Sequence, residues 1–240
     1  MIPGMGKQPT KQGMVLDKVV LLGRTLEEYR RYFALPLEEW RGRKILDVAS
    51  GVSSFRAEAA AAGLEVTAFD PIYSLPPDVV QARCEPDLDH VIRVVEGLKT
   101  YKWDFYKDPQ TLRTYRERAY RIFLEDYRKE QGRCYVAGSL PHLPFPDRTF
   151  DLTLVSYLMF VYEDQLDYEF HKASVVEILR VTRGEARFYP LVTFEAQRSS
   201  YLDRLRSDPD LSALEFAEVQ TDFEFLVDSN WYLRVSHRRC

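Results

Sequence analysis

Short apolar runs alternate with helical patterns along most of the chain. Residues 45–49 form an apolar run with one acid inside it, and the run ends at a Ser50-Gly51 turn. An alanine-rich helix follows and ends at Gly63, directly before a second apolar run at residues 64–69. Strand, turn, helix and strand in this order predict a βαβ unit, and therefore parallel strands joined by a right-handed crossover.

Later apolar runs predict the rest of the sheet. Strands are expected over residues 133–137, 150–156 and 186–192, with helices over 164–181 and near 197–206. Residues 216–227 and 231–236 flank the turn cluster at 228–230, and this pattern predicts an antiparallel hairpin. The predicted fold class is α/β, with a doubly wound sheet of five parallel strands closed by that C-terminal hairpin.

One long segment interrupts the alternation. Residues 73–132 lie between the second and third predicted strands, where a single helix would be enough to connect them. Apolar residues recur at helical spacing over residues 87–98, and a second helix is predicted to begin at Asp108-Pro109, an N-cap followed by proline. We therefore expect a helical cap inserted at about 73–132.

The N-terminal region precedes the sheet pattern. Its first dozen residues have the composition of a loose arm, and a helix is predicted from Thr25, where Glu28 completes a capping box. The chain is thus divided into an N-terminal arm and helix (1–43) and a main domain (44–240) that contains the insertion.

Composition narrows the class of protein. The chain has 240 residues, 45% of them hydrophobic, and a formal net charge of −4, values that exclude a disordered chain. No apolar run approaches the ~20 residues that cross a bilayer, and no secretory signal is apparent, so neither a membrane nor export is expected. Three distant cysteines form no disulfide or metal motif, which favours a reducing cytoplasm, and the histidines lack metal-site spacing.

Charge is unevenly distributed. Residues 1–44 hold nine basic and five acidic side chains, and residues 99–133 hold ten and six, so each segment carries +4. Such segments can steer an anionic ligand, or they can simply be solvated helix faces. The pI of about 5.7 lies far below the range of dedicated nucleic-acid binders, so nucleic acid is not an expected partner.

Small and polar residues collect where the predicted strands end. Ligands of doubly wound sheets bind at the carboxyl ends of the strands, and an acid such as Asp70, 19 residues beyond Gly51, can accept both hydroxyls of a ribose. We expect an adenine over Ile72 and beside Ser139. The predicted cofactor-binding residues are Asp47, Ala49, Ser50, Gly51, Asp70, Pro71, Ile72, Ser139, Leu140 and Ser156.

Three segments resemble the nucleotide-site motifs of class I S-adenosylmethionine-dependent methyltransferases: ILDVASGVSSF, VTAFDP and AGSLPHLPFPDRTFDLTLVSYLMF. The resemblance covers residues 44–71 and 133–195, and LPFPDRTFD is similar to the LPF-x-D-x-x-FD stretch of small-molecule members, including quinone-biosynthesis C-methyltransferases. It implies a seven-stranded, mostly parallel Rossmann-like sheet and S-adenosyl-L-methionine as cofactor. It also implies in-line methyl transfer to a small-molecule acceptor.

The resemblance also implies individual roles. Asp47 would orient the methionine ammonium, Asp70 would hold the ribose, and Ser139 with Leu140 would hold the adenine. Ser156 and Tyr157 would line the methyl-donor and substrate side. No catalytic base is assigned; the candidates are Tyr157 and His142, with Tyr101 or Tyr106 from the insertion.

Alternatives to an enzyme stay open at this stage. Ala49 and Ser53 replace two glycines of the family's first turn, and Ser139 stands where an acid is usual, which leaves a non-catalytic binding or scaffold protein in consideration. An RNA methyltransferase is less favoured, because Ser156-Tyr157 replaces the [DNS]-P-P-[YFW] motif of base-amino methylases. A nicotinamide dehydrogenase would need a G-x-G-x-x-G motif that the chain lacks. Neither the acceptor nor the oligomeric state, a homodimer included, can be inferred from the sequence.

Overall fold

The computed structural model describes residues 20–238. Its strands are β1 Lys44–Val48, β2 Glu65–Phe69, β3 Tyr135–Val136, β4 Phe150–Ser156, β5 Thr182–Tyr189, β6 Leu214–Gln220 and β7 Trp231–His237. Its α-helices are α1 Leu26–Tyr32, α2 Phe55–Ala61, α3 Pro77–Val95, α4 Pro109–Glu130, α5 Tyr168–Val181 and α6 Tyr201–Ser207. The strands form one sheet in the order β3-β2-β1-β4-β5-β7-β6.

The sheet has the arrangement predicted from the sequence. β3, β2, β1, β4 and β5 pair in parallel, whereas β7 runs antiparallel between β5 and β6. The chain moves outward from β1 through β2 to β3 and then returns to place β4 on the other side of β1. This reversal creates a switch point between β1 and β4, and the α/β, doubly wound, seven-stranded prediction is confirmed.

The sixth strand ends seven residues earlier than the sequence predicts. It covers Leu214–Gln220 rather than residues 216–227. Beyond Gln220 the backbone turns away from β7, because the N–H of Val227 donates to the carbonyl of Thr100 at 2.8 Å. The backbone of Phe225 and Val227 is therefore bonded to the insertion, through Lys102 and Thr100, and Phe225 reaches the cavity described below.

The insertion contains two long helices, as the sequence predicts. α3 begins at Pro77, ten residues before the expected start at residue 87, and it continues through Pro86. Proline in the first turn lacks only an N–H that has no intrahelical partner, so Pro77 starts the helix where sequence reading suggests a loop. α4 begins where predicted, with the Asp108 side chain accepting from the Thr111 N–H at 2.6 Å. α3 packs against α4, and α4 packs against α2.

The N-terminal helix has the predicted capping box. The Thr25 side chain accepts from the Glu28 N–H, and the Glu28 carboxylate accepts from the Thr25 N–H at 2.7 Å. The predicted arm over the first dozen residues lies outside the described residues. In residues 20–238, no helix has the length and apolarity needed to cross a membrane, and no group of three His, Cys, Asp or Glu side chains is placed to hold a metal ion.

Candidate functional site

A cavity of about 520 Å³ opens at the carboxyl ends of β1, β2 and β4. It lies at the switch point of strand order, where doubly wound sheets bind their ligands. The strand ends supply one part of its wall, and α3, α4 and residues 20–24 supply much of the rest. Nine of the ten predicted cofactor residues line it: Ala49, Ser50, Gly51, Asp70, Pro71, Ile72, Ser139, Leu140 and Ser156.

The turn after β1 depends on two residues with left-handed backbone. Ala49 has a φ of 56° and Gly51 a φ of 55°. Glycine adopts this conformation freely, whereas an L side chain is strained there by about 1–2 kcal/mol. Alanine therefore keeps the turn that glycine would make at position 49, but in a strained form. A second strained residue, Tyr157 with a φ of 53°, follows β4 across the switch point.

We expect Ala49→Gly to raise the free energy of unfolding by about 1 kcal/mol, because relief of the left-handed strain exceeds the greater entropy of unfolded glycine. Gly51→Ala is the matched control at the same turn and should lower the free energy of unfolding by about 1 kcal/mol. An added Cβ at Gly51 meets nothing within 4 Å, so only backbone strain would act. Urea denaturation measures both changes, and a destabilised Ala49→Gly variant would contradict this account of the turn.

Asp70 joins the ends of β1 and β2. Its Oδ2 accepts from the Gly51 N–H at 3.0 Å, and its Oδ1 accepts from the Ile72 N–H at 2.9 Å. The side chain is buried on the cavity wall, and burial raises the pKa of its carboxyl to about 6 although both amides oppose the shift. Each oxygen keeps a lone pair, so the carboxylate can still accept from a ligand.

Asp47 is the predicted cofactor residue that does not line the cavity. Its carboxylate is fully buried behind the turn and accepts from the Tyr29 hydroxyl at 2.9 Å and the Ser50 hydroxyl at 2.5 Å. Burial raises the pKa of its carboxyl to about 7, against the effect of these hydrogen bonds. Asp47 therefore orients Ser50, which does reach the cavity, and direct contact of Asp47 with a ligand stays a prediction.

The loop after β3 reaches the cavity through a close contact. A Cβ added at Gly138 would lie 2.6 Å from the Phe69 ring, so only glycine lets the backbone run flat against that ring. This approach places Ser139 and Leu140 on the cavity wall near the end of β2. The Pro-rich loop thus contributes two adjacent residues to the site, as the sequence predicts.

His142, one of the two candidate bases predicted from the sequence, does not lie on the cavity wall. The His142 N–H donates to the Ser139 carbonyl at 3.1 Å, which closes a turn. After that turn, His142 lies in a shallow depression beside Lys172 and Glu177 of α5. The turn carries the side chain away from the strand ends, so the histidine is not available as a base in this cavity.

The other candidate bases are distributed between the cavity and the core. Tyr157 and Tyr101 line the cavity, whereas Tyr106 is fully buried and donates to Glu28. Burial raises the pKa of each of these phenols, so each keeps its proton near neutral pH. All three are therefore poor bases, and Tyr157 and Tyr101 can donate hydrogen bonds to a ligand.

Of the aromatic residues after β4, some line the cavity and others lie in the core. Tyr162 lines the cavity together with Tyr157. Phe160 lies instead in the core beneath α5, with its ring 5.7 Å from that of His171. Tyr157 and Tyr162 are therefore positioned for ligand contact, whereas Phe160 is a packing residue.

Arg24 lines the cavity but was missed by sequence reading. Its guanidinium lies over the Tyr157 ring, 4.4 Å from the ring centroid, and its backbone N–H donates to Ser53 Oγ at 3.0 Å. Arg24 precedes a capping box and belongs to no motif, so nothing near it in the sequence indicates a site. Only the packing of α1 beside the β1 turn brings it there.

Comparison with known proteins gives one strong similarity in sequence and weaker ones in structure. No family model matches the chain. Among solved structures, magnesium protoporphyrin IX methyltransferase from Synechocystis PCC 6803, with bound SAM, is 10% identical and has a TM-score of 0.46, with 89% of this chain and 78% of that chain covered. A SAM-dependent methyltransferase from Aquifex aeolicus is 12% identical with a TM-score of 0.42, covering 88% and 94%. At these values neither structure assigns an activity to this chain.

The strong similarity is to an archaeal protein. The uncharacterized protein MJ0045 of Methanocaldococcus jannaschii is 36% identical over 217 residues. The similarity covers 90% of this chain and 95% of that protein. The chain belongs to the same family as MJ0045.

Proposed function

We propose that this protein is an S-adenosylmethionine-dependent methyltransferase that acts on a small molecule. The observation that carries the proposal is the Asp70 carboxylate, which is buried on the wall of an open cavity and fixed there by the amides of Gly51 and Ile72. A carboxylate at the end of the second strand is suited to accept both hydroxyls of a ribose. The methyltransferase motifs of the sequence support the same reading.

The residues around Asp70 are suited to an adenosyl group. Asp70 would hold the ribose, Ile72 with Leu140 would enclose the adenine, and Ser139 would accept from its amino group. The small residues Ala49 and Gly51 let the turn bring the backbone close to the ligand. Ser156 Oγ is buried on the cavity wall without a hydrogen-bond partner in the described part of the chain, and a bound ligand would supply one.

Catalysis would depend on positioning. S-adenosylmethionine, when bound, supplies a methyl group already activated by the sulfonium charge. The chain has to align the acceptor with that methyl group and exclude water, and effects of this kind are worth several orders of magnitude in rate. The apolar wall from α3 excludes water, and the protonated tyrosines donate to the acceptor without removing its proton.

Isothermal titration calorimetry with S-adenosylhomocysteine tests the proposal. We expect micromolar binding, with ATP and NAD binding at least about 100-fold more weakly because neither has a sulfur-containing tail for the β1 turn. Absence of S-adenosylhomocysteine binding would refute the proposal. Tight binding without methyl transfer from a labelled donor to any fraction of small metabolites would favour the non-catalytic alternative.

The affinity for S-adenosylhomocysteine should depend on pH through Asp70. Its carboxyl has a pKa of about 6, and a ribose binds best to the ionised form. The dissociation constant should therefore stay constant above about pH 7 and rise about tenfold per pH unit below pH 6. The carboxyl of Asp47 has a pKa of about 7 and would also change its charge in this range. The affinity is therefore measured over the same pH range in the Asp47→Asn variant. A flat profile between pH 5 and 8 in the wild type would contradict the role of Asp70.

A further inference from the structure

The adenosyl site accounts for only part of the cavity wall. The remaining wall, which we call the acceptor wall, is apolar and comes from the insertion and the segments beside it: Leu88, Ile92, Val95, Leu112, Tyr162 and Phe225. Residues from α3, α4, the loop after β4 and the segment before β7 meet there. A surface of this composition binds a ligand by burying apolar area.

Three polar groups interrupt this apolar surface and lack partners. Arg24 Nε, Tyr101 Oη and Ser156 Oγ are buried without a hydrogen-bond partner within residues 20–238. All three residues line the cavity and are more than nine-tenths buried. Buried polar groups are almost always satisfied, so three in one cavity indicate a ligand with hydrogen-bond acceptors.

Among residues 20–238, two cations line this cavity without an ion pair: Arg24, which is buried, and Arg83, which is partly exposed and lowers the pKa of the Asp70 carboxyl. Arg24 is therefore the buried cation that remains free for an anion. Arg116 also lines the cavity, but it is neutralised by Glu28 at 2.6 Å. No carboxylate in the described part of the chain lies within 4 Å of the Arg24 guanidinium, which contacts the Leu22 carbonyl and the Tyr157 ring. The charge of Arg24 helps to lower the pKa of the Glu28 carboxyl, but the two do not form an ion pair. The oxygens of Glu28 accept hydrogen bonds from four other side chains instead: Thr25, Tyr32, Tyr106 and Arg116.

The acid–base groups of the cavity restrict the acceptor further. Its tyrosines keep their protons, and the remaining lone pairs of Asp70 are assigned to the ribose in the proposed function. Transfer to an anionic acceptor combines one negative charge with the positive charge of the sulfonium and releases no proton, so it requires no base. The cavity is therefore suited to an acceptor that arrives ionised.

We infer that the methyl acceptor is an apolar, acidic molecule whose anionic oxygen binds Arg24 while its hydrocarbon part lies on the acceptor wall. This inference rests on the proposed function for the identity of the neighbouring site. Tyr101 and Ser156 donate to the same acceptor oxygens or to others on the ligand. A charge-assisted hydrogen bond in a buried site is strong enough to select an anion over a neutral isostere.

A matched pair of probes tests the inference: 2-naphthoate, and 2-naphthylmethanol as its neutral counterpart. Each is titrated by calorimetry at pH 7.5 into protein saturated with S-adenosylhomocysteine. We expect the naphthoate to bind about tenfold more tightly than the alcohol in the wild type. Arg24→Met should reduce this ratio to near one, whereas Arg24→Lys should retain part of it.

Two further measurements distinguish failure of this inference from failure of the proposed function. S-adenosylhomocysteine is titrated into every variant, and its affinity should stay within about twofold of the wild type. Ile92→Asp, which places a negative charge on the acceptor wall, should weaken the naphthoate more than the alcohol. Equal binding of the two probes, or an unchanged ratio in Arg24→Met, would overturn the inference. Loss of S-adenosylhomocysteine binding by the wild type would instead overturn the proposed function.

Discussion

Asp70→Ala should weaken binding of S-adenosylhomocysteine by about 100-fold or more. The substitution removes the only carboxylate on the described cavity wall, and with it the hydrogen bonds that the proposed function assigns to the ribose hydroxyls, each worth about 1.5–3 kcal/mol to a charged acceptor. It also releases the amides of Gly51 and Ile72, so the two strand ends lose their common anchor. Calorimetry at pH 7.5 measures the loss.

Two comparisons make the Asp70 result specific. Asp222→Ala removes an exposed carboxylate that is not part of the cavity and should leave the affinity unchanged. Asp70→Asn keeps the shape of the side chain but removes its charge, and its amide group would face one of the two backbone N–H groups. We expect an intermediate loss of about tenfold. Wild-type affinity in Asp70→Ala would show that the ligand binds elsewhere.

Arg116→Met should lower the free energy of unfolding by about 3–5 kcal/mol. Arg116 is 4% exposed and its partner Glu28 is fully buried, so the variant leaves a carboxylate without its cation in the core. The guanidinium also donates to the Gly23 carbonyl and to the Tyr106 hydroxyl, and these bonds are lost as well. Urea denaturation monitored by circular dichroism measures the change.

A neighbouring ion pair on the same helix is the matched control. Arg118 pairs with Glu58 at 2.7 Å, but its side chain is 55% exposed, so Arg118→Ala should cost less than about 1 kcal/mol. The double variant Arg116→Met with Glu28→Gln should recover part of the loss, because no charge is then left unpaired. Equal effects of the Arg116 and Arg118 substitutions would mean that the buried pair contributes no more than a surface pair.

The buried pair also matters for the site. Arg116 belongs to α4 and Glu28 to α1, and both helices support the cavity wall that contains Arg24 and Tyr29. Loss of the pair would loosen α1 against the insertion and with it the placement of Arg24. We therefore expect the Arg116 variant to lose its preference for 2-naphthoate at temperatures where it is still folded.

Local patterns in the sequence were sufficient for the sheet and for most of the residues that line the cavity at its strand ends. Period-two and apolar runs identify the strands, and a glycine turn or an acid at a strand end identifies the edge to which ligands bind. Ala49, Gly51, Asp70 and Ser139 could be predicted because each lies within a few residues of the strand that positions it. Asp47 shows the limit: its place at a strand end is local, but its burial behind Ser50 depends on Tyr29 from another helix.

By itself the sequence determined the α/β sheet, the helical insertion, the capping box of α1 and the position of Asp70, because each depends on residues close together in the chain. Only the tertiary structure decided that Glu28 meets Arg116, 88 residues away, that Arg24 enters the cavity and that His142 leaves it. Such contacts depend on how the insertion and α1 pack on the ends of the strands. No spacing within a single segment encodes that packing, since the pairs it creates are distant in sequence.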